Sequence, residues 1–211
     1  MTETYTLHID KTHKNIDWNL FFVVDPINET IGAPKHLRIY KLAPNGSIDT
    51  ELNCVEEMLD TCILNSNYIK DNDDIHVEVR CEDICLYDLV AYWSPTFPII
   101  PENPIILNFE TTAYAKLFVL DVSKYDFQQL QVILQAETFL KATSPIKLFA
   151  NFGRSTPNST HHDVMSVHLW NDGLGFFLEK TDFIDREKLI TILVEGPAEN
   201  ILKLTAHLRK D

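Results

Sequence analysis

Residues 74–93 read DIHVEVRCEDICLYDLVAYW, and residues 189–208 read LITILVEGPAENILKLTAHL, with apolar side chains at corresponding places. Ile75, Val79 and Ala91 each recur as the same residue type 115 positions later. Each copy reads as a strand, a tight turn and a second strand. A repeat of this length predicts two copies of one small domain in tandem, and such modules more often bind or space than catalyse.

Strand signals dominate the rest of the chain, as runs of β-branched and aromatic residues bounded by polar turns. In the first half the predicted strands are Thr4–Ile9, Trp18–Val24, Leu37–Leu42, Met58–Leu64, Ile75–Cys81 and Leu86–Trp93. In the second half they are Ile105–Glu110, Lys116–Val122, Leu130–Ala136, Ile146–Phe152, Gly175–Glu179, Leu189–Glu195 and Ile201–Leu208. The segments with a helical pattern, Val55–Asp60 and Asp126–Gln129, are too short to form stable helices alone. The pattern therefore predicts an all-β fold of two antiparallel β-sandwiches.

A proline-rich segment separates the halves, with prolines at positions 95, 98, 101 and 104. Because each ring fixes φ and removes a backbone donor, this spacing favours a stiff, polyproline-like connector. The predicted organisation is a first, diverged module over 1–94, a linker over 95–104 and a second module over 105–211.

The formal net charge of −13 opposes binding to nucleic acid and to anionic membrane surfaces, which both need clustered lysine and arginine. It is compatible with a partner that carries Ca²⁺ or a basic surface, and equally with an acidic balance kept for solubility. No apolar run approaches the roughly 18 residues of a membrane-spanning helix, so direct membrane insertion is not expected.

All four cysteines lie in the first half, at positions 54, 62, 81 and 85. An even number confined to one module predicts disulfides, with Cys54–Cys62 and Cys81–Cys85 the simplest of three pairings. Cys81 and Cys85 flank the turn of the repeat, where the two Cα atoms can lie within disulfide distance. Free thiols and a zinc site remain alternatives, although the spacing does not match the usual zinc motifs.

Three sequons begin at Asn28, Asn45 and Asn158, each in a polar, loop-like stretch where a glycan could be accommodated. Together with the cysteines they favour an extracellular or cell-surface setting. The opening residues MTETYTLHIDKTHK lack the features of a signal peptide, so the chain is either a trimmed segment of a longer protein or an intracellular one.

Several strand patterns of the second half resemble the bacterial prepeptidase C-terminal domain, over about Ile105 to Leu208. Phe118-Val-Leu-Asp-Val122 is similar to that family's early strand, and Leu130-Gln-Val-Ile-Leu134 to the next. The stretch IKLFANFG, residues 146–153, is similar to its D-L-x-L-Y motif, with Phe149 in place of the tyrosine and no opening aspartate. The resemblance implies jelly-roll-like β-sandwiches of the kind appended to secreted peptidases, and the first half resembles a diverged copy.

Three groups of residues are candidates for chemistry. Asp71, Asp73 and Asp74 could offer oxygen ligands to a hard cation, so Ca²⁺ is a possible cofactor, although a solvated turn explains the cluster as well. Ser159-Thr-His-His-Asp163 brings a hydroxyl, imidazoles and a carboxylate together without a recognisable nucleophile motif, and a mobile loop is the simpler interpretation. The third group, Trp18, Trp93 and Trp170, could form a stacking surface or fill the core.

The sequence thus predicts a non-catalytic, extracellular binding or spacer segment of a larger secreted or surface protein, with a protein or glycan as partner. An intracellular structural subunit of a larger assembly is the alternative, and a hydrolase using the Ser159–Asp163 loop is a third hypothesis.

Overall fold

The computed structural model describes residues 1–9, 18–27, 32, 34–55, 60–109, 114–136, 146–169, 173–196 and 200–210. The chain divides into two compact units, Met1–Pro95 and Thr96–Asp211. Apart from two short 3₁₀ turns, Ser66–Tyr68 and Lys180–Phe183, the regular structure of the described residues is strand. The predicted all-β fold with packed sheets, of the β-sandwich class, is confirmed.

The first unit contains two sheets. Its strands are β1 (Thr2–His8), β2 (Trp18–Pro26), β3 (His36–Leu42), β4 (Ile48–Val55), β5 (Asp60–Asn65), β6 (Asp74–Arg80) and β7 (Tyr87–Pro98). One sheet has the strand order β1-β6-β3-β4, and the other pairs β2 with both β5 and β7. All these pairings are antiparallel.

The core of the first unit lies between these two sheets. Leu37 and Ile39 of β3 and Val77 of β6 face Leu20 and Phe22 of β2, and all five are at most 2% exposed. In β3 and β6 every second residue is buried, so the remaining residues of those strands form the outer face of the four-stranded sheet. Period-two alternation of this kind is what a sheet with one buried face requires.

The second unit also has two sheets around one core. Its strands are β8 (Ile105–Phe109), β9 (Tyr114–Asp121), β10 (Gln129–Ala136), β11 (Lys147–Phe152), β12 (Val164–Met165), β13 (Val167–Leu169), β14 (Gly173–Glu179), β15 (Leu189–Gly196) and β16 (Asn200–Arg209). One sheet runs β13-β14-β10-β16-β8, and the other contains β12-β11-β15-β9. Leu130 and Leu204 from the first and Leu120, Leu148 and Ile192 from the second are fully buried together.

The repeated segments form an arch in each unit instead of a hairpin. β6 belongs to the sheet of β1 and β3, whereas β7 pairs with β2 in the opposite sheet. In the second unit β15 pairs with β9 and β11, whereas β16 pairs with β8 and β10. The turn in each copy therefore carries the chain across the sandwich from one sheet to the other.

Three details of the fold bear on the sequence-based expectations. Residues 95–98, expected in a polyproline-like linker, end strand β7, and 96–98, which already belong to the second unit, pair in parallel with β9 of that unit. Prolines are tolerated there because they lie at the end of a strand. The strand β4 was not expected, and residues 56–59 of the segment with a helical pattern lie outside the described residues. Asp126–Gln129 forms no helix.

Within the described part of the chain, no helix has the length and apolarity needed to cross a membrane.

Candidate binding site

A surface pocket of about 560 Å³ lies at one end of the first unit, where β1 begins, β3 begins and β6 ends. We call it the cationic pocket, and it is lined by Met1, Thr2, Lys35, His36, Arg80, Cys81 and Glu82. Strand register explains why these residues meet. Arg80 is the cross-strand partner of Thr2 on one side and of His36 on the other.

Backbone hydrogen bonds fix the frame of the pocket. The Lys35 amide donates to the Arg80 carbonyl at 2.8 Å. The Cys81 amide donates to the Met1 carbonyl at 2.9 Å, and the Met1 nitrogen donates to the Cys81 carbonyl at 2.8 Å. Cys81 is in addition bonded to Cys85 in the arch that follows. The pocket floor is therefore tied to three strands and a disulfide, which limits its rearrangement on binding.

The side chains of the pocket carry an excess of positive charge. Lys35 and Arg80 are exposed and His36 is half-buried, while Glu82 is the one acidic residue in the lining. Among the described residues, no carboxylate lies within ion-pair distance of Lys35 or Arg80. The chain as a whole has a formal net charge of −13, so this local excess of positive charge is opposite in sign to that of the whole chain. They provide full charges and hydrogen-bond donors for an anionic group.

The outer face of the same sheet continues from the pocket as a polar and aromatic network. Arg38 donates two hydrogen bonds to Glu51, at 2.8 and 2.9 Å, and its guanidinium lies 5.0 Å from the centre of the Tyr40 ring. The Tyr40 and His76 rings stack with centroids 5.2 Å apart, and His76 Nδ1 is 3.2 Å from the Thr6 hydroxyl. The ion pair with Glu51 raises the pKa of Arg38 further. This face is therefore preorganised and hydrophilic.

A second polar cluster lies at β1, which is an edge strand of the four-stranded sheet. The hydroxyls of Tyr5 and Tyr87 donate to Glu3 Oε2 at 2.6 and 2.7 Å, and the two phenol oxygens are 2.9 Å apart. These hydrogen bonds lower the pKa of Glu3, with Tyr5 the larger cause. Burial, followed by its hydrogen bonds, raises the pKa of Tyr87. Both tyrosines therefore remain neutral donors.

The four cysteines form two disulfides, as predicted. Cys54 of β4 is joined to Cys62 of β5, with Cα atoms 5.9 Å apart, and Cys81 is joined to Cys85, with Cα atoms 6.0 Å apart. The first disulfide links the two sheets of the unit, and the second spans the arch between β6 and β7. The two disulfides indicate an oxidising environment.

The acidic turn before β6 is engaged in ion pairs. The Lys41 ammonium lies 3.2 Å from Asp73 and 3.4 Å from Asp49, and it donates to the Tyr68 carbonyl at 3.0 Å. Asp74 is 2.8 Å from His8 Nδ1. Over the described ranges, no group of three or more His, Cys, Asp or Glu residues is placed to hold a metal ion.

Two of the three sequons fall within the described residues. Asn45 is exposed in the turn between β3 and β4, where its Oδ1 accepts hydrogen bonds from the Ser47 amide and hydroxyl at 3.0 and 2.7 Å. Asn158 Oδ1 accepts from the Thr160 amide and hydroxyl and from the His161 amide, at 2.7 to 3.0 Å. Asn28 lies outside the described residues.

The Ser159–Asp163 loop is organised by structural hydrogen bonds. Asp163 Oδ2 accepts from the Phe152 amide at 2.9 Å, and the Asp163 amide donates to Asn151 Oδ1 at 2.8 Å. The His162 ring lies 5.2 Å from the Phe149 ring, and its Nδ1 is 3.0 Å from the Asn158 carbonyl oxygen. In this part of the chain, which is described throughout, no hydrogen bond joins His162 to the Asp163 carboxylate.

Two of the three tryptophans fall within the described residues, on the neighbouring strands β2 and β7. Trp93 packs against the core of the first unit, and Trp18 is half-buried in β2. Trp170 lies outside the described residues.

The cationic pocket was missed by sequence reasoning because its cations are far apart in the chain. Lys35 and His36 are adjacent, but Arg80 follows Lys35 by 45 positions (80 − 35), and only the β3–β6 register brings them together. The available signal was positional, since Lys35 and His36 immediately precede the predicted strand Leu37–Leu42 and Arg80 is the last residue but one of the predicted strand Ile75–Cys81.

No protein-family model matches the chain, and no curated protein matches it at a significant level.

Proposed function

We propose that this chain is a non-catalytic, extracellular binding segment of a larger secreted or surface protein, and that it contacts its partner through the cationic pocket and the adjoining outer face. The observation that carries this proposal is the pair of cations, Lys35 and Arg80, held without ion-pair partners among the described residues at the end of a rigid sheet. A concavity with a few convergent polar or charged groups is the usual form of a small-molecule site, which favours a ligand here.

The disulfides support the extracellular part of the proposal. Cys54–Cys62 and Cys81–Cys85 would be reduced in a glutathione-containing cytosol unless they were exceptionally stable. The sequon at Asn45 lies on an exposed turn, which suits glycosylation during secretion.

The resemblance to prepeptidase C-terminal domains supports the accessory part of the proposal. The segments that carry the resemblance fall on strands: 118–121 lie in β9, 130–134 in β10 and 147–152 in β11. The resemblance implies a module appended to a larger secreted protein, and we propose that accessory setting here without the link to a peptidase.

A binding assay with matched variants tests the proposal. The oxidised full chain is applied to immobilised extracellular-matrix proteins and immobilised glycans, alongside the double variants Lys35→Gln/Arg80→Gln and Arg154→Gln/Lys188→Gln. Arg154 and Lys188 are exposed residues of the second unit and do not line the pocket, so the second variant changes the net charge equally.

Saturable binding to at least one surface is expected for the wild type and for the Arg154/Lys188 variant, with at least a tenfold loss for the Lys35/Arg80 variant. Absence of saturable binding to every surface, or equal binding by both variants, would contradict the proposed function.

A further inference from the structure

We propose that the cationic pocket binds an acidic saccharide, with the acid group held by Arg80 and Lys35 and the sugar hydroxyls held by the remaining polar lining. This inference rests on the proposed binding function and specifies the ligand of the same site.

The first step of the argument is charge. Arg80 presents a planar guanidinium suited to bidentate contact with a carboxylate or sulfate, and Lys35 adds a second full charge to the lining of the same pocket. Their backbones are hydrogen bonded directly, through the Lys35 amide and the Arg80 carbonyl at 2.8 Å. Two cations that line one pocket favour a ligand with an anionic group.

The second step is the composition of the remaining lining. Thr2 and His36 can each donate or accept a hydrogen bond, and Glu82 can accept from ligand hydroxyls. A simple inorganic anion would use the donors but not the Glu82 carboxylate, which would repel it. A ligand that carries one acid group and several hydroxyls uses both kinds of group.

The third step distinguishes a saccharide from an acidic peptide. Peptides are usually recognised through apolar side-chain pockets together with backbone pairing or a hydrophobic groove. The lining here is apolar only at Met1 and at the buried Cys81. The volume of about 560 Å³ lies in the range of small-molecule sites, and the outer face beyond it presents hydroxyl, imidazole and phenol groups at Thr6, His76 and Tyr40. A polar, ring-shaped ligand fits these surroundings better than a peptide.

Direct binding measurements on the oxidised full chain test the inference. The acidic probes are 3′-sialyllactose and an unsaturated chondroitin disaccharide; the comparison probes are lactose, hexaglutamate peptide and sodium sulfate. Calorimetry or NMR titration gives Kd for the wild type, Arg80→Gln, Arg80→Lys, Lys35→Gln and the control Arg154→Gln/Lys188→Gln.

We expect at least one acidic saccharide to bind at least tenfold more tightly than lactose, hexaglutamate and sulfate. Arg80→Gln and Lys35→Gln should each weaken that binding by about tenfold, because each removes a charged hydrogen-bond donor. Arg80→Lys should lose less, since it keeps the charge but not the planar pair of donors. The control variant should bind as the wild type does.

Equal affinity for sialyllactose and lactose would overturn the inference, as would hexaglutamate or sulfate binding as tightly as the best acidic saccharide. Absence of binding to both acidic probes would overturn it too. If the surface-binding assay still depends on Lys35 and Arg80 in that case, only the ligand class is wrong. If that dependence is also absent, the proposed function itself fails.

Discussion

Gly175 shows how tightly a single residue can be constrained in this fold. A Cβ atom at this position would clash with the Val132 carbonyl oxygen and lie 2.5 Å from Leu169 Cδ1, so the substitution cannot be accommodated without a backbone shift. At Gly173, two residues earlier in the same strand, the nearest atom to an added Cβ would be the Leu134 carbonyl oxygen. Their separation of 3.4 Å is an ordinary van der Waals distance.

We therefore predict that Gly175→Ala destabilises the protein by about 1–3 kcal/mol, the usual cost of overpacking. Gly173→Ala is the matched control and should change the free energy of unfolding far less, because the added methyl meets its neighbours at ordinary van der Waals distances. Urea denaturation of both variants measures the difference. Equal destabilisation by the two substitutions would contradict the close approach of β14 and β10 at Gly175.

The carboxyl of Glu3 gives a pH-dependent prediction. Its pKa is lowered in the folded state by hydrogen bonds from Tyr5 and Tyr87. A carboxyl with a lowered folded pKa stabilises the fold above its unfolded pKa, and this contribution is lost as the pH falls through the folded pKa. Glu3→Gln should therefore have a lower Tm than the wild type at about pH 7, with the difference shrinking below the ordinary value of 4.5.

Tyr5→Phe supplies the control, since it removes the donor that contributes most to the shift. In the Tyr5→Phe background the pH dependence of the Glu3→Gln effect should be smaller. Thermal melts between about pH 7 and pH 3 measure it, and a difference in Tm that stays constant over this range would show that Glu3 makes no such contribution.

At the scale of elements, the two disulfides stabilise different connections. Cys54–Cys62 joins strands β4 and β5 of opposite sheets across a separation of eight positions, and Cys81–Cys85 closes the arch across four. Loop-closure entropy predicts a loss of about 2.5 kcal/mol for Cys54→Ala/Cys62→Ala and about 2 kcal/mol for Cys81→Ala/Cys85→Ala. Urea denaturation of each double variant, with the other disulfide intact, measures these losses.

A thiol titration tests whether both disulfides form when the protein is made in an oxidising compartment. Under denaturing conditions the purified chain should show no titratable thiol before reduction and four after it. Four thiols before reduction would contradict the oxidising environment and favour an intracellular protein.

Most strands were predictable from sequence because their buried and exposed residues alternate or are continuously apolar. The predicted Leu130–Ala136 differs from β10 by one residue, and Ile75–Cys81 is shifted by one from β6. β4 was missed although Ile48, Thr50, Leu52 and Cys54 alternate with polar residues, because the intervening DTELN reads as a polar loop.

The arch and the cationic pocket could not be read from local patterns. Two strands joined by a short turn predict a hairpin, and only the pairing of the two strands with different sheets distinguishes an arch. The pocket depends on the register of β1, β6 and β3, which places Thr2, Arg80 and His36 in one row. Register between distant strands is set by tertiary packing, and no spacing rule along the chain reports it.

For the whole molecule, the formal net charge of −13 opposes the approach of an anionic ligand to a locally cationic pocket. Salt screens exposed charges over a distance of about 10 Å at 0.1 M. Added salt should therefore weaken the long-range repulsion between protein and ligand more than the short-range contacts within the pocket. We predict that the association rate constant for the tightest-binding acidic saccharide rises between about 20 and 150 mM NaCl, while the dissociation rate constant also rises. Stopped-flow or surface plasmon resonance measures both; an association rate that falls with salt would indicate attraction by a larger cationic surface.

Lys41 has a consequence for chemical labelling. Its ammonium is held by Asp73, Asp49 and the Tyr68 carbonyl, and only 10% of the side chain is exposed, whereas Lys35 is exposed at the pocket rim. An amine-reactive reagent should acylate Lys35 readily and Lys41 slowly. The ratio of the two modified peptides in a mass spectrum is then an internally referenced measure of pocket occupancy, because a bound ligand shields Lys35 and leaves Lys41 unchanged.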